Sequence, residues 1–116
     1  MVKNLPIDEI SEQTVLGIAL MDQKSASNIV VSLDEDDFYA ANFKNRIIFR
    51  AMRIIYDAGK PIDITTVISQ LETMKESDSV GGVDYLMLLA MRATSFSNVD
   101  FYVKNLQDKT LLRKLL

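Results

Sequence analysis

From Ile7 to Leu116 the apolar side chains recur at intervals of three and four, and only two places interrupt the pattern strongly. Gly59-Lys60-Pro61 is one and Val80-Gly81-Gly82 is the other. Recurrence at i, i+3 and i+4 builds one face of a helix, and glycine and proline collect where helices stop. No stretch alternates apolar and polar residues at period two. The β-branched pairs Val30-Val31 and Ile54-Ile55 both sit inside helical patterns. The fold class expected is therefore all-α, a compact helical domain of about six helices joined by short loops. A chain of 116 residues, 48% hydrophobic and 25% charged, is one domain by size and buries a core without staples.

The first helix is expected over about residues 8–21, with Asp8 and Glu9 at the positive end of its dipole. Ile7, Ile10, Thr14, Gly17, Ile18 and Met21 form its stripe, widened by Val15, Ala19 and Leu20. A shorter helix spans about Lys24 to Val31, and a single turn follows around Asp36-Asp37-Phe38-Tyr39. The third runs from about Asn42 to Asp57. The fourth starts on Asp63, a good N-cap, with the stripe Ile64, Val67, Ile68, Leu71 and Met74. The fifth follows Gly81-Gly82 and ends near Arg92. The sixth begins at Ser97-Asn98-Val99-Asp100, a Ser-x-x-Asp capping pattern, and carries Val99, Tyr102, Val103 and Leu106, then Leu111, Leu112, Leu115 and Leu116. That last pattern has no stop signal, so the chain is expected to be the front piece of a longer one.

Composition removes much chemistry. There is no cysteine and no histidine. Thiolate nucleophiles, disulfides, Cys- or His-based metal sites and Ser–His–Asp triads are all absent. Neither the phosphate-loop pattern G-x-x-x-x-G-K-[ST] nor G-x-G-x-x-G occurs, so nucleotide binding by this stretch is unsupported. No apolar run approaches the roughly 20 residues that span a bilayer, and Met1-Val2-Lys3-Asn4 opens no secretory signal. No membrane partner is expected, and a cytoplasmic location is. The net charge of −3 argues against a domain living mainly by phosphate contacts.

Four features remain. Asp34-Glu35-Asp36-Asp37 lacks the spacing and glycine of a cation loop and is expected to be a solvated turn. Arg46, Arg50 and Arg53 share one face of the third helix, as weak anion-contact candidates. Residues 43–60 carry five basic side chains against one acidic, whereas residues 1–37 carry two against eight. The basic face therefore meets either an anion or the acidic front of the chain itself. Tyr85-Leu86-Met87-Leu88-Leu89-Ala90-Met91 leaves the fifth helix no polar face, so it is either wholly buried or shared between core and partner. The leucine-rich end of the sixth helix favours partner contact. Interface candidates are accordingly Tyr85, Leu88, Leu112, Arg113 and Leu115, with Arg113 and Lys114 at the rim.

Several short segments, in order, resemble the N-terminal domain of bacterial replicative DNA helicases of the DnaB type. They are Glu12-Gln13-Thr14-Val15-Leu16-Gly17, Asp37-Phe38-Tyr39, Ile48-Phe49-Arg50-Ala51-Met52 and Gly59-Lys60-Pro61-Ile62-Asp63-Ile64-Thr65-Thr66-Val67. Val80-Gly81-Gly82-Val83-Asp84-Tyr85-Leu86, Asn98-Val99 with Tyr102, and Lys109 with Leu112-Arg113-Lys114-Leu115 complete the set. Order and spacing fit from about residue 5 to the end. At Leu5-Pro6-Ile7-Asp8 the chain has one proline where the family often has two, which bears on the subfamily, a phage-encoded version among them.

The resemblance implies a globular helical subdomain over residues 1–95 and the start of a helical hairpin over 96–116. It implies a RecA-like motor domain outside this chain, which holds ATP and magnesium, so no cofactor is expected here. It implies a collar on a hexameric ring, built by self-association as dimers, that docks primase and in some systems a helicase loader. Single-stranded DNA would then be met only through the assembled ring. Two other readings stand beside it: a stand-alone helical regulatory or DNA-binding module using the basic face of the third helix, and a helicase-binding primase domain. A salt titration of DNA binding separates the DNA-binding module from the collar.

Overall fold

The computed structural model describes residues 5–40 and 43–116. Among these residues the chain forms six helices and no strand: α1 (Glu9–Met21), α2 (Gln23–Ser32), α3 (Lys44–Asp57), α4 (Ile64–Thr73), α5 (Gly82–Met91) and α6 (Val99–Lys114). A single 3₁₀ turn, Glu35–Asp37, joins α2 to the approach of α3. The all-α expectation and the helix count hold. No helix among the described residues is long and apolar enough to cross a membrane.

The helix ends follow from local chemistry. Asp8 caps α1, its carboxylate accepting from the Ser11 N–H at 3.0 Å. Asp22 ends α1 and caps α2 in the same way through Ser25, also at 3.0 Å. Asp63 caps α4 as expected, accepting from Thr66 N–H at 2.8 Å while Thr66 Oγ1 accepts from Asp63 N–H at 2.9 Å. Gly59 stops α3 with a φ of 72°, a left-handed value that costs a glycine little. The expected serine cap of α6 is corrected. Asn98 stands at the N-cap without a side-chain bond, and Ser97 Oγ instead lies 2.9 Å from Ser95 Oγ. The expected start of α3 at Asn42 lies outside the described residues.

Helix α1 is the centre of the domain. Every residue from Ser11 to Leu20 is buried, because α2, α3, α5 and α6 all pack on it. The stripe expected for this helix is therefore only partly right. Thr14, Gly17 and Ile18 are buried, but Ile7, Ile10 and Met21 are exposed. A helix surrounded on all sides has no single apolar face for periodicity to find. Phe38, Ile48, Phe49, Met52 and Leu71 fill the space beside it, with the Phe38 and Phe49 rings stacked at 4.8 Å. Helix α4 shows its expected stripe, Val67 and Leu71 buried and Ile64, Ile68 and Met74 partly so.

The seven-residue apolar run of α5 divides. Leu86 and Leu89 are buried, whereas Val83, Met87, Leu88 and Met91 are exposed. What brings α5 so close is Gly17. A Cβ there would stand 2.0 Å from the Leu89 carbonyl oxygen and 2.9 Å from its carbon. Alanine has the better helix propensity by about 1 kcal/mol, but the clash is with backbone and cannot be relieved by a rotamer. Gly17→Ala should therefore destabilise the domain by about 2 kcal/mol net, read as a lower urea midpoint. A midpoint equal to or above that of the parent protein would refute the close packing of α1 and α5.

Candidate interaction surface

The polar centre of the domain is Glu12, a carboxylate with no exposed area in the buried stretch Ser11–Leu20 of α1. Its oxygens accept from the backbone N–H groups of Tyr39 at 2.9 Å and Ala40 at 3.0 Å, and from Asn45 Nδ2 at 3.0 Å. Asn45, also fully buried, accepts in turn from the Tyr85 hydroxyl at 2.6 Å. One chain of hydrogen bonds thus joins α1, the loop before α3, α3 itself and α5. Burial raises the Glu12 carboxyl above the ordinary carboxylate value. Asn45, the two backbone N–H groups and the charge of Arg113 pull the other way and do not overcome it. Burial likewise raises the Tyr85 phenol.

A second polar seam ties down α6. The Thr110 hydroxyl donates to the buried Asp37 carboxylate at 2.5 Å, and the other oxygen of Asp37 accepts from Asp34 N–H at 2.8 Å. Arg113 donates to the carbonyls of Pro6 and Asp36, both at 2.8 Å, and to Thr110 Oγ1 at 3.0 Å. Its guanidinium also lies 4.9 Å from the Tyr39 ring centre. The acidic run is therefore not all solvated, as the sequence suggested. Asp37 is a buried strut between α6 and the 3₁₀ turn, and its own carboxylate would be costly there without the Thr110 hydroxyl and the Asp34 N–H.

The candidate residues separate into committed and available ones. Tyr85 and Arg113 spend their polar groups inside the domain. Leu88, Leu112 and Leu115 are open to solvent, at 44%, 46% and 73% exposure. Arg46, Arg50 and Arg53 do share the α3 face, but the fold uses most of it. Arg50 pairs with Glu35 at 2.8 Å. Arg53 donates to the Val30 and Leu33 carbonyls at 2.8 and 2.7 Å, closing the end of α2, and lies 3.7 Å from Asp34. Arg46 donates through Nε to the Phe38 carbonyl at 3.0 Å. The basic helix meets the acidic front, the intramolecular alternative of the two. Among the described residues no group of three or more His, Cys, Asp or Glu side chains could hold a metal.

Glu12, Asn45 and the Asp37–Thr110 pair were not singled out from the sequence. Glu12 carried little signal, since Glu9 stands in the same first turn and Ser11 and Gln13 flank it. Asn45 gave none.

The chain matches the DnaB-like helicase N terminal domain family over residues 4–108. It is 34% identical over 106 residues to the replicative DNA helicase DnaB of Geobacillus stearothermophilus, covering 91% of this chain and 23% of that protein. It is 36% identical to the replicative DNA helicase DnaB of Pasteurella multocida, covering 91% and 22%. The chain thus spans about a quarter of the length of these relatives. The crystal structure of the N-terminal domain of DnaB helicase from Mycobacterium tuberculosis superposes with a TM-score of 0.89 at 28% identity, over 97% of this chain and 76% of that one.

Glu12→Gln tests the polar centre. A glutamine amide must turn its NH₂ toward either Asn45 Nδ2 or a backbone N–H, so one donor loses its acceptor, at about 1–3 kcal/mol. The deficit should depend on pH. Because the folded carboxyl titrates above 4.5, its reference value, the folded state holds this proton more tightly. Glu12 therefore contributes most at low pH, and that contribution falls as pH rises through the raised value. The gap between parent and Glu12→Gln, measured by urea unfolding, should narrow over that window and then stay constant. A gap that widens with rising pH would refute the sign of the shift.

Proposed function

The chain belongs to the DnaB-like helicase N terminal domain family, and from that premise we propose that it is the N-terminal collar domain of a hexameric replicative DNA helicase. It mediates ring assembly through self-association and docks primase or a loader during DNA replication. In the parent protein the motor domain supplies ATP-dependent unwinding with its own nucleotide and magnesium. Single-stranded DNA is met through the assembled ring.

The observation that carries this proposal is the apolar surface left uncovered on α5 and at the end of α6. Met87, Leu88 and Met91 project from α5, and Leu111, Leu112 and Leu115 from α6. Exposed apolar surface of this kind marks association. It accords with the division that the family resemblance implies, a helical subdomain over residues 1–95 and the opening of a hairpin over 96–116. The DNA-binding alternative finds less support, since Arg50 and Arg53 are occupied internally.

Magnitudes set the expected strength. Covering the exposed parts of Leu88, Leu112 and Leu115 on both protomers of a dimer contributes about 5–10 kcal/mol. Association costs about 4–15 kcal/mol in lost freedom. The two are close, so the chain on its own should form a weak, concentration-dependent dimer. Sedimentation velocity of the parent, of Leu88→Glu and of a Leu112→Glu/Leu115→Glu variant tests this. Association in the parent that both variants weaken is the expected result. A parent that stays monomeric at high micromolar concentration, or association that the glutamates leave untouched, would contradict it.

A further inference from the structure

Helices α3 and α6 are separated by 40 residues or more, yet they bring three cations to one hollow. Arg46, Arg113 and Lys114 line a concavity of about 280 Å³ together with Asp36, Tyr39 and Thr110. Its walls are fixed. Arg113 is held by the Pro6 and Asp36 carbonyls and by Thr110, and Arg46 by the Phe38 carbonyl. Arg46 uses only Nε in that bond, and among the described residues neither of its Nη groups has an acceptor. The ion pairs among the described residues are Arg50–Glu35, Arg53–Asp34 and Lys104–Asp108, so neither Arg46 nor Lys114 has a carboxylate within bonding reach there.

Charge decides what fits. Asp36 is the single carboxylate lining the hollow. Asp37 and Glu12 lie nearby, but their oxygens already accept from Thr110 and Asp34 N–H, and from Tyr39 N–H, Ala40 N–H and Asn45. Three cations against one lining carboxylate leave a local positive surplus on a chain whose net charge is −3. A guanidinium with both Nη groups unspent matches an oxyanion in a forked geometry. A carboxylate or a phosphodiester brings one negative charge, whereas a terminal phosphate group brings up to about two. From the juxtaposition of Arg46 on α3 with Arg113 and Lys114 on α6, we infer that this hollow binds a terminal phosphate group, as a small free phosphate carries it, in preference to the singly charged backbone of a nucleic acid. The inference is independent of the collar role, which places contacts on α5 and on the leucines of α6.

Amide NMR titration of the full chain with pyrophosphate, in chloride buffer at constant ionic strength, tests it. Saturable shifts at Leu5, Tyr39 and Thr110 in the millimolar range are expected. Arg46→Gln should weaken binding by about tenfold, the loss of one charge-assisted bond. Lys114→Gln, which touches no hydrogen bond of the fold, should weaken it severalfold. Lys60→Gln, far from the hollow, should leave it unchanged. A short oligothymidylate without terminal phosphate, run in parallel, tests the charge argument: tighter binding of pyrophosphate is expected, and tighter binding of the oligonucleotide would overturn the assignment. Absence of saturable shifts, an equal loss in Lys60→Gln, or shifts as strong with citrate as with pyrophosphate would each overturn the inference.

Discussion

A carboxylate without solvent contact sits at the middle of this domain, and the helices are arranged so that it is never without a partner. Glu12 emerges from α1 where every neighbour is buried, so its charge must be answered from other elements. Two backbone N–H groups of the Tyr39–Ala40 loop and the amide of Asn45 answer it. The loop and the first turn of α3 are thereby fixed relative to α1. Asn45 then holds the Tyr85 hydroxyl, and α5 is placed as well. Apolar packing drives the collapse of these helices but is indifferent to small rotations about their axes. A set of directed bonds around one buried acid is not indifferent, which is how polar groups select one packing among several.

The same logic recurs at the edges. Asp37, Thr110 and Arg113 fasten α6 to the 3₁₀ turn and to the segment entering α1. Gly17 does the converse task, removing a side chain so that α5 settles against α1 backbone to backbone. With its inner face so engaged, α5 presents Met87, Leu88 and Met91 outward. The proposed association surface is thus the outer side of elements whose inner sides are held by the polar network. The family match covers residues 4–108, so it takes in α1 to α5 and the first part of α6, and Thr110 and Arg113 lie just past it.

Much of this was legible in the sequence because it is local. Helix extents, the acidic start of α1 at Asp8, the cap at Asp63 and the break at Gly59 depend on neighbours within four residues. The charge asymmetry between the front of the chain and α3 anticipated the Arg50–Glu35 pair, though without saying which of two partners the arginines would take. The rest depends on contacts distant in sequence. Tyr85 and Asn45 are 40 residues apart, and Thr110 and Asp37 are 73 apart. Nothing in spacing or composition connects them. The all-round burial of α1 also erased the periodic signal that would have identified it as the central helix. The leucines at the end of α6 were legible as interface candidates, whereas the apolar run of α5 left full burial and partner contact both open.

The central claim is that Glu12 and Tyr85 act through Asn45 as one network. A double-mutant cycle of Glu12→Gln and Tyr85→Phe, read by urea unfolding, measures that directly. Each change alone leaves a buried group of Asn45 or its neighbours unpaired. Together they should cost less than their sum, because a disturbed Asn45 no longer holds the hydroxyl well. The account predicts an interaction energy of at least about 0.5 kcal/mol. Additivity within about 0.3 kcal/mol would show two independent sites and contradict it.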